Sequence, residues 1–194
     1  QFLSPVANRR DDRYGGSRDN RMRFPLEVAA AVRAAWPENR PLFARISVTD
    51  WIDGGWQPED SIVYARELKA RGVDLIHCST GGFDGAKPNV AALYQVPFAE
   101  AVRRGADVAT AAVGLITDPA EAETILASGQ ADLIALARQA LEDPNWPVHA
   151  AHALGVENAY AMWPDQAGYA IRNKDRVGLL LESSPHFAIG VRVL

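Results

Sequence analysis

The sequence contains a single cysteine, Cys78, among its 194 residues. One cysteine cannot form an internal disulfide, and a chain without disulfides is typical of the reducing cytoplasm. No apolar run approaches the roughly 20 residues that a membrane-spanning helix needs. The segment Gln1–Arg10 does not resemble a secretory signal peptide. These absences predict a cytoplasmic protein that has no membrane partner.

Neither sign of charge is in large excess. The chain carries 20 Lys and Arg against 24 Asp and Glu, which gives a formal net charge of −4. Nucleic acids and anionic membranes select strongly basic surfaces, so this balance predicts no nucleic-acid partner. Apolar residues make up 48% of the chain and charged residues 23%. These proportions are typical of a soluble globular domain.

The sequence also lacks short repeats, low-complexity tracts and a GxGxxG fingerprint after its first predicted strand. The missing fingerprint argues against a dinucleotide-binding fold of the Rossmann type. A strand followed by a helix recurs instead, at intervals of roughly 25–35 residues, which is the spacing of βα modules. This alternation predicts an α/β fold with a parallel sheet.

The boundaries of these modules follow from periodicity and from capping residues. The predicted strands are Pro41–Ser47, Val73–Ser79, Asp107–Val113 and Ala131–Ala137, the last buried on both faces. The predicted helices are Arg18–Trp36, Pro58–Arg71, Val96–Gly105 and a fourth that Asp118 caps, Pro119 begins and Gly129 ends. In the first helix we expect Pro25 to cause a kink or a restart. We predict one apolar stripe at helical spacing on this helix, formed by Met22, Leu26, Ala29, Val32 and Trp36.

Two successive strand ends carry residues that suit a phosphate group. Gly114 follows the third strand, where a glycine lets backbone N–H groups approach a ligand closely. Arg138 follows the fourth strand and supplies a planar cationic fork. In (β/α)8 barrels the loops after the seventh and eighth strands frequently form a phosphate site. Taken alone, Gly114 fits an ordinary tight turn equally well.

The long segment SPVANRRDDRYGGSRDNRMRF resembles the signature of the old yellow enzyme family of FMN-dependent oxidoreductases. The segments PLFARIS, GVDLIHCSTGG, AAVGLITDPAEAE and ADLIALARQALEDPNWP follow in the order that the family shows. The resemblance extends from about Gln1 to Pro164 and is strongest to the short-barrel, thermophilic-like ene reductases.

The resemblance implies the fold in more detail. It implies an α/β chain that forms the C-terminal half, about four βα units or strands 5–8, of a TIM (β/α)8 barrel. Residues 1–164 would be this FMN-binding half, and residues 165–194 an atypical C-terminal tail without predicted structure. The full-length protein would be a homo-oligomer.

The resemblance also implies an activity, namely hydride transfer from NAD(P)H through FMN to an activated alkene such as an enone. Four cofactor-binding residues carry over. Arg45 would lie beside the flavin pyrimidine edge, and Ser79 near the ribityl–phosphate region. Gly114 would provide a backbone donor, and Arg138 would bind the phosphate. The family's catalytic His-x-x-His or His-x-x-Asn pair and tyrosine precede the QFLSP segment, so no catalytic residue is assigned in this chain.

Other interpretations stay open at this point. The chain could be a non-catalytic flavin-binding or phosphate-binding fragment, a partner that completes a split barrel, or a non-flavin TIM-barrel enzyme that binds a phosphorylated substrate. By its residue type alone, Ser79 could cap a helix or turn, and Arg45 could pair with a neighbouring carboxylate.

Several further residues are better explained without a function. His149 and His152 have a metal-compatible spacing but no evident third ligand, so we expect an exposed helix face. His77 and Cys78 are adjacent on a strand and should point to opposite faces, which excludes a nucleophile–base pair. Within the long signature, Tyr14, Asn20 and Arg21 are interpreted as mainly structural.

Overall fold

The computed structural model describes residues 1–83 and 85–182. Its strands are β1 (Phe43–Ser47), β2 (Leu75–Ser79), β3 (Ala109–Ala112) and β4 (Leu133–Ile134). They form one sheet in the order β1-β2-β3-β4, and every neighbouring pair is parallel. Parallel neighbours require a crossover connection, and a helix supplies each one here. The predicted α/β class and parallel sheet are confirmed.

Helices connect and follow these strands. They are α1 (Arg18–Ala35), α2 (Pro58–Lys69), α3 (Val96–Ala106), α4 (Pro119–Ala127), α5 (Arg138–Glu142), α6 (Trp146–Ala153) and α7 (Asp165–Glu182), with a 3-10 helix at Ala159–Met162. The chain divides into two compact units, of which the first is Gln1–Ala137 and the second begins at Arg138. Helix α7 occupies most of the tail for which no structure was predicted, and residues 183–194 of that tail lie outside the described residues.

The capping residues place α4 as predicted. The Asp118 carboxylate accepts hydrogen bonds from the backbone N–H groups of Ala120 at 2.8 Å and Glu121 at 3.0 Å. Pro119 occupies the first helical position, where its missing N–H has no intrahelical partner to lose. Gly129 follows the helix with a φ of +69°, a left-handed conformation that glycine adopts without a Cβ penalty.

A buried polar relay anchors α2 to the end of β1. The indole Nε1 of Trp56 donates to the Ser61 hydroxyl at 2.6 Å, and that hydroxyl donates to the Val48 carbonyl at 2.8 Å. All three residues are almost fully inaccessible to solvent. Because buried polar groups need partners, this relay satisfies three groups that would otherwise oppose burial. It fixes the loop that follows β1 against the helix behind the sheet.

The predicted apolar stripe of α1 is buried only in its first half. Met22 and Leu26 are buried, but Val32 and Trp36 are exposed, and Trp36 is the residue that caps the helix. Helix α1 packs against α2. Its exposed apolar side chains lie outside the buried core. The helix runs through Pro25 without a restart.

The fourth strand is shorter and less buried than predicted. It comprises Leu133–Ile134 rather than Ala131–Ala137, and the Leu133 side chain is 47% exposed. The strand ends the sheet and has a neighbour on one side only. The backbone N–H of Thr110 donates to the Asp132 carboxylate at 2.9 Å, so a side chain takes over part of the strand pairing there.

Candidate functional site

The two faces of the sheet differ in character. Side chains alternate between the faces of a strand, so the register places Arg45 of β1 and His77 of β2 on one face, with Ala111 of β3 beside them. The opposite face carries Ile76 and Cys78, which are fully buried against the helices. The first face is open and bears polar side chains near the carboxyl ends of the strands. It is this open face that carries the candidate site.

Two of the predicted site residues meet on this face. Arg45 Nε donates to the Ser79 hydroxyl at 3.2 Å, and this hydroxyl donates to the Ile46 carbonyl at 3.0 Å. The Arg45 side chain is exposed and, among the residues that the structure describes, pairs with no carboxylate. The alternative in which Arg45 serves a local ion pair therefore finds no support. Ser79 holds the guanidinium group at the end of β2.

A cavity of about 500 Å³ lies beside this pair. Its lining includes the segment Gln1–Ser4 and the side chain of Arg45, and the strand-end residues Ser47, Gly81 and Gly82 complete this part of the wall. The Ser47 hydroxyl donates to the Gly81 carbonyl at 3.0 Å, which ties the loop after β2 to the end of β1. A cavity of this volume is typical of small-molecule and cofactor sites.

The N-terminal signature forms one wall of the cavity because polar side chains fix its loop. Arg21, which is buried, donates to the Leu3 carbonyl at 2.7 Å and also to the Gly16 carbonyl. The Asn8 amide donates to the carbonyls of Phe2 and Tyr14 at 2.8 and 2.7 Å. These bonds support the structural interpretation of Arg21. The side chain of Asn8, which the sequence did not predict as a structural residue, closes the same loop.

Gly114 follows β3 with a φ of +122°, a conformation that other residues rarely adopt. A Cβ atom at this position would lie 3.1 Å from both Cβ and Nε2 of Gln95. The glycine is therefore required by backbone conformation and by a close neighbour together. The Gln95 Oε1 atom in turn accepts a hydrogen bond from the Thr80 hydroxyl at 2.8 Å. Neither Gln95 nor Thr80 was singled out from the sequence.

The fourth predicted site residue, Arg138, is the first residue of α5 and belongs to the second compact unit. Its side chain is exposed. Within the first unit the structure thus brings Arg45 and Ser79 into direct contact and places Gly114 at the end of β3, two strands from Arg45. The role of Arg138 stays a prediction.

His77, which the sequence excludes as a base for Cys78, is a further polar group on the open face. Its Nε2 atom is buried and has no hydrogen-bond partner among the described residues. Burial lowers the pKa of His77, and the positive charge of Arg45 lowers it further. Both causes favour the neutral imidazole beside the Arg45 cation.

Cys78 is fully buried in the folded protein. Burial raises the pKa of its thiol to about 12, so the reactive thiolate is scarce at neutral pH. Cys78 faces the helices whereas His77 faces the open side of the sheet. The prediction that the two do not form a nucleophile–base pair is confirmed.

The two histidines of α6 differ from each other. His149 is exposed, and its Nδ1 atom lies 2.7 Å from an Asp143 carboxylate oxygen. His152 is half-buried, and its ring lies edge-on to that of Tyr160 at a centroid distance of 4.3 Å. The expectation of a shared exposed face is wrong for His152, because Tyr160 folds back over it.

Two kinds of feature are absent from the described residues. No group of three or more His, Cys, Asp or Glu side chains is arranged to hold a metal ion. Across residues 1–83 and 85–182, no helix combines the length and the apolar character that crossing a membrane requires.

Comparison with solved structures identifies proteins of the same fold. Residues of this chain superpose on 2-naphthoyl-CoA reductase with a TM-score of 0.70 at 28% identity, covering 78% of this chain and 24% of that one. Morphinone reductase gives a TM-score of 0.63 at 28% identity, covering 78% of this chain and 40% of that one.

Curated sequences give higher identities. The NADPH dehydrogenase of Geobacillus sp. (strain WCH70) is 52% identical over 156 residues, which are 80% of this chain and 45% of that protein. The NADPH dehydrogenase of Bacillus subtilis (strain 168) is 48% identical over 157 residues, 81% of this chain and 46% of that protein. The chain thus spans a little under half the length of these relatives.

A family model also matches most of the chain. The model described as the NADH:flavin oxidoreductase / NADH oxidase family matches residues 1–157, which include the long signature, all strands of the sheet and Arg138. This result confirms the resemblance to the old yellow enzymes. The chain belongs to the NADH:flavin oxidoreductase / NADH oxidase family.

Proposed function

We propose that this chain holds FMN in an NAD(P)H oxidoreductase that reduces activated alkenes such as enones. The observation that carries the proposal is the bond between Arg45 and Ser79 at the strand ends of an open sheet face, in a chain of this family. The name NADPH dehydrogenase of the similar proteins supports a nicotinamide reductant.

The residues present fit the flavin and its phosphate. The exposed Arg45 guanidinium, fixed through Nε by Ser79, presents a positive charge on the face where an electron-rich ring edge would lie. The φ of +122° and the closeness of Gln95 select glycine at position 114, where we propose that the backbone N–H faces the phosphate. The adjoining cavity of about 500 Å³ has the size of a cofactor site.

The chemistry that FMN supplies when bound is hydride transfer from NAD(P)H to the β-carbon of the alkene, while a proton adds to the α-carbon. Arg45 would stabilise negative charge at the pyrimidine edge, because a fixed cation needs no reorganisation as charge develops. Ser79 holds that cation in place. The Gly114 backbone N–H and the Arg138 guanidinium would bind the phosphate. No residue of this chain is assigned as the proton donor.

We further propose that the sheet is strands 5–8 of a TIM barrel. The consecutive parallel order, the helices on one face and the open opposite face support this arrangement. Phe43 at the start of β1 is 54% exposed, and apolar side chains on α1 form an exposed stripe at four-residue spacing. The members of this α1 stripe are Phe24, Val28, Val32 and Trp36. Further strands and helices would cover both features.

An FMN titration followed by flavin fluorescence tests the proposed cofactor. We expect saturable binding, and we expect Arg45→Ala to weaken it about tenfold by removing a charge-assisted contact. The matched control is Arg40→Ala, because Arg40 is an exposed arginine at the opposite end of β1. A wild-type chain that binds no FMN, or equal losses in the two variants, would contradict the proposal.

Riboflavin, which lacks the phosphate, separates the two predicted arginine roles. Arg138→Ala should weaken FMN and leave riboflavin almost unchanged, whereas Arg45→Ala should weaken both. An equal effect of Arg138→Ala on the two ligands would remove this arginine from the proposed phosphate site.

Light scattering tests the proposed half barrel. The uncovered β1 edge and the α1 stripe should drive association, so we expect a mass larger than that of one chain. Val32→Lys should reduce association more than Ala34→Lys, since Ala34 is exposed and lies outside the stripe. A compact monomer for the wild-type chain would argue against missing neighbours on this side. In the full-length protein we propose a homo-oligomer, which the same method would detect.

A further inference from the structure

Gln95 lies between the carboxyl ends of two neighbouring strands. Its side-chain Oε1 accepts a hydrogen bond at 2.8 Å from the hydroxyl of Thr80, the residue that follows β2. Its Cβ and Nε2 atoms border the turn at Gly114, which follows β3. The residue is only 5% exposed. One buried side chain therefore lies against the carboxyl ends of both strands, and the candidate site is at the same end of the sheet.

Three atoms of Gln95 lie close to the position that a Cβ atom would take at Gly114. A Cβ atom built at Gly114 would lie 3.1 Å from Cβ, 3.1 Å from Nε2 and 3.2 Å from the backbone nitrogen of Gln95. A Cβ atom at position 114 would need Gln95 to shift by a few tenths of an ångström, so Gln95 and the glycine turn are close neighbours. The φ of +122° at Gly114 also limits the conformations that the turn can adopt.

The position of Gln95 is itself fixed by α3. Its backbone carbonyl accepts hydrogen bonds from the N–H groups of Phe98 at 3.2 Å and Ala99 at 3.4 Å, so the residue begins the helix. The next residue, Val96, and Ala99 are buried in the core. The side chain of Gln95 does not cap α3 but bonds to Thr80 instead. Helix capping therefore does not explain why a glutamine side chain stands here.

We propose that Gln95 is a positioning residue for the phosphate end of the flavin. It acts through Gly114: by holding the turn against the end of β2, it directs the Gly114 backbone N–H towards the phosphate. Thr80 supports this role because its hydroxyl fixes the orientation of the Gln95 amide. This inference rests on the proposed FMN-binding function and adds residues that contact no predicted ligand themselves.

Paired titrations with FMN and riboflavin test the positioning role. Gln95→Ala should weaken FMN binding about fivefold to tenfold, the loss expected for one well-made contact, and change riboflavin binding less than twofold. Thr80→Val keeps the side-chain shape without the hydroxyl, and it should reproduce part of the loss for FMN. A purely structural role would weaken both ligands equally, and that result would overturn the proposal.

Gln57→Ala is the control, since Gln57 is also the N-cap residue of a helix but its amide donates to Ile52 and Gly55 in a different loop. We expect this variant to leave the ratio of the two affinities unchanged. If it altered the ratio as much as Gln95→Ala, the effect would not be specific to the Gly114 turn and the proposal would fail.

The amide resonance of Gly114 provides a readout that needs no flavin. In a ¹⁵N-labelled chain, Gln95→Ala and Thr80→Val should shift this resonance and speed its hydrogen exchange, whereas Gln57→Ala should not. An unchanged Gly114 amide would overturn the positioning role even if the wild-type chain binds FMN. A shifted amide in a chain that binds no FMN would instead refute the proposed function while supporting the contact between Gln95 and the turn.

Discussion

The guanidinium group of Arg103 forms two parallel hydrogen bonds to the carboxylate of Asp132, at 2.9 and 3.0 Å. Arg103 lies on α3, and Asp132 immediately precedes β4. The same carboxylate accepts a hydrogen bond from the backbone N–H of Thr110 in β3. One aspartate thus joins a helix, an inner strand and the last strand of the sheet. This relationship secures β4, which has only two residues of regular strand.

Asp132→Asn should destabilise the protein at neutral pH. The hydrogen bond from Arg103 lowers the pKa of Asp132 from its ordinary value near 3.8. The ionised carboxylate therefore stabilises the folded state above that pH, and this stabilisation is lost as the pH falls below it. Urea unfolding at pH 7 and at pH 3 would show a difference between variant and wild type that shrinks on acidification. The control is Asp107→Asn, because the pair of Lys69 and Asp107 lies at the surface. A loss at Asp107 as large as that at Asp132 would contradict this account.

Ser61→Ala should cost about 1–3 kcal/mol in the free energy of unfolding. The substitution leaves the buried Trp56 N–H and the Val48 carbonyl without their partner. Denaturant unfolding monitored by tryptophan fluorescence would measure the loss. Ser128→Ala serves as the control, since Ser128 is exposed at the end of α4 and should change stability by no more than about 0.5 kcal/mol. Equal effects of the two substitutions would show that the relay is not stabilising.

Cys78 should resist alkylation in the folded state. With a thiol pKa of about 12, only about one group in 10,000 would be thiolate at pH 8, and the side chain is fully buried. Iodoacetamide should therefore label the chain only when urea unfolds it, with Cys78→Ala as the unlabelled blank. Because the sequence has no other cysteine, mass spectrometry reads this single site directly. Stoichiometric labelling of the native chain within minutes would contradict the buried position.

The protein should lose stability as the pH falls below about 6.5, and His77 should account for part of that loss. Burial and the charge of Arg45 lower the pKa of His77 from 6.5 in the folded state, whereas the unfolded chain takes up a proton near that value. The unfolded state then binds more protons, so stability decreases between pH 6.5 and the lowered folded pKa.

Thermal melts of wild type and His77→Asn at pH 7.5 and pH 5.5 would test this assignment. The melting temperature of the variant should fall less than that of wild type between pH 7.5 and pH 5.5. Arg45→Gln should flatten the pH dependence in part, because the charge that helps to lower the pKa is then absent. Identical pH profiles for wild type and His77→Asn would assign the acid sensitivity to other groups.

Features that depend on neighbours in the chain could be predicted from the sequence. The limits of α4 follow from Asp118, Pro119 and Gly129, since a cap acts through the backbone of the next few residues. The parallel sheet follows from the alternation of strands and helices. The family followed from a long contiguous signature, whose Asn8 and Arg21 fix a loop within the same stretch of chain.

Features that depend on distant residues were decided by the tertiary structure alone. Arg45 and Ser79 were each predicted as site residues, but their bond joins positions 34 apart and exists because β1 and β2 pair in one register. The same pairing sets the Arg45 charge beside His77. No local sequence pattern pointed to Gln95, because its contacts are with Thr80 and Gly114 at the ends of two different strands. The apolar stripe predicted on α1 illustrates the same limit. Helical periodicity predicts which side chains share a face, whereas their burial depends on what packs against that face.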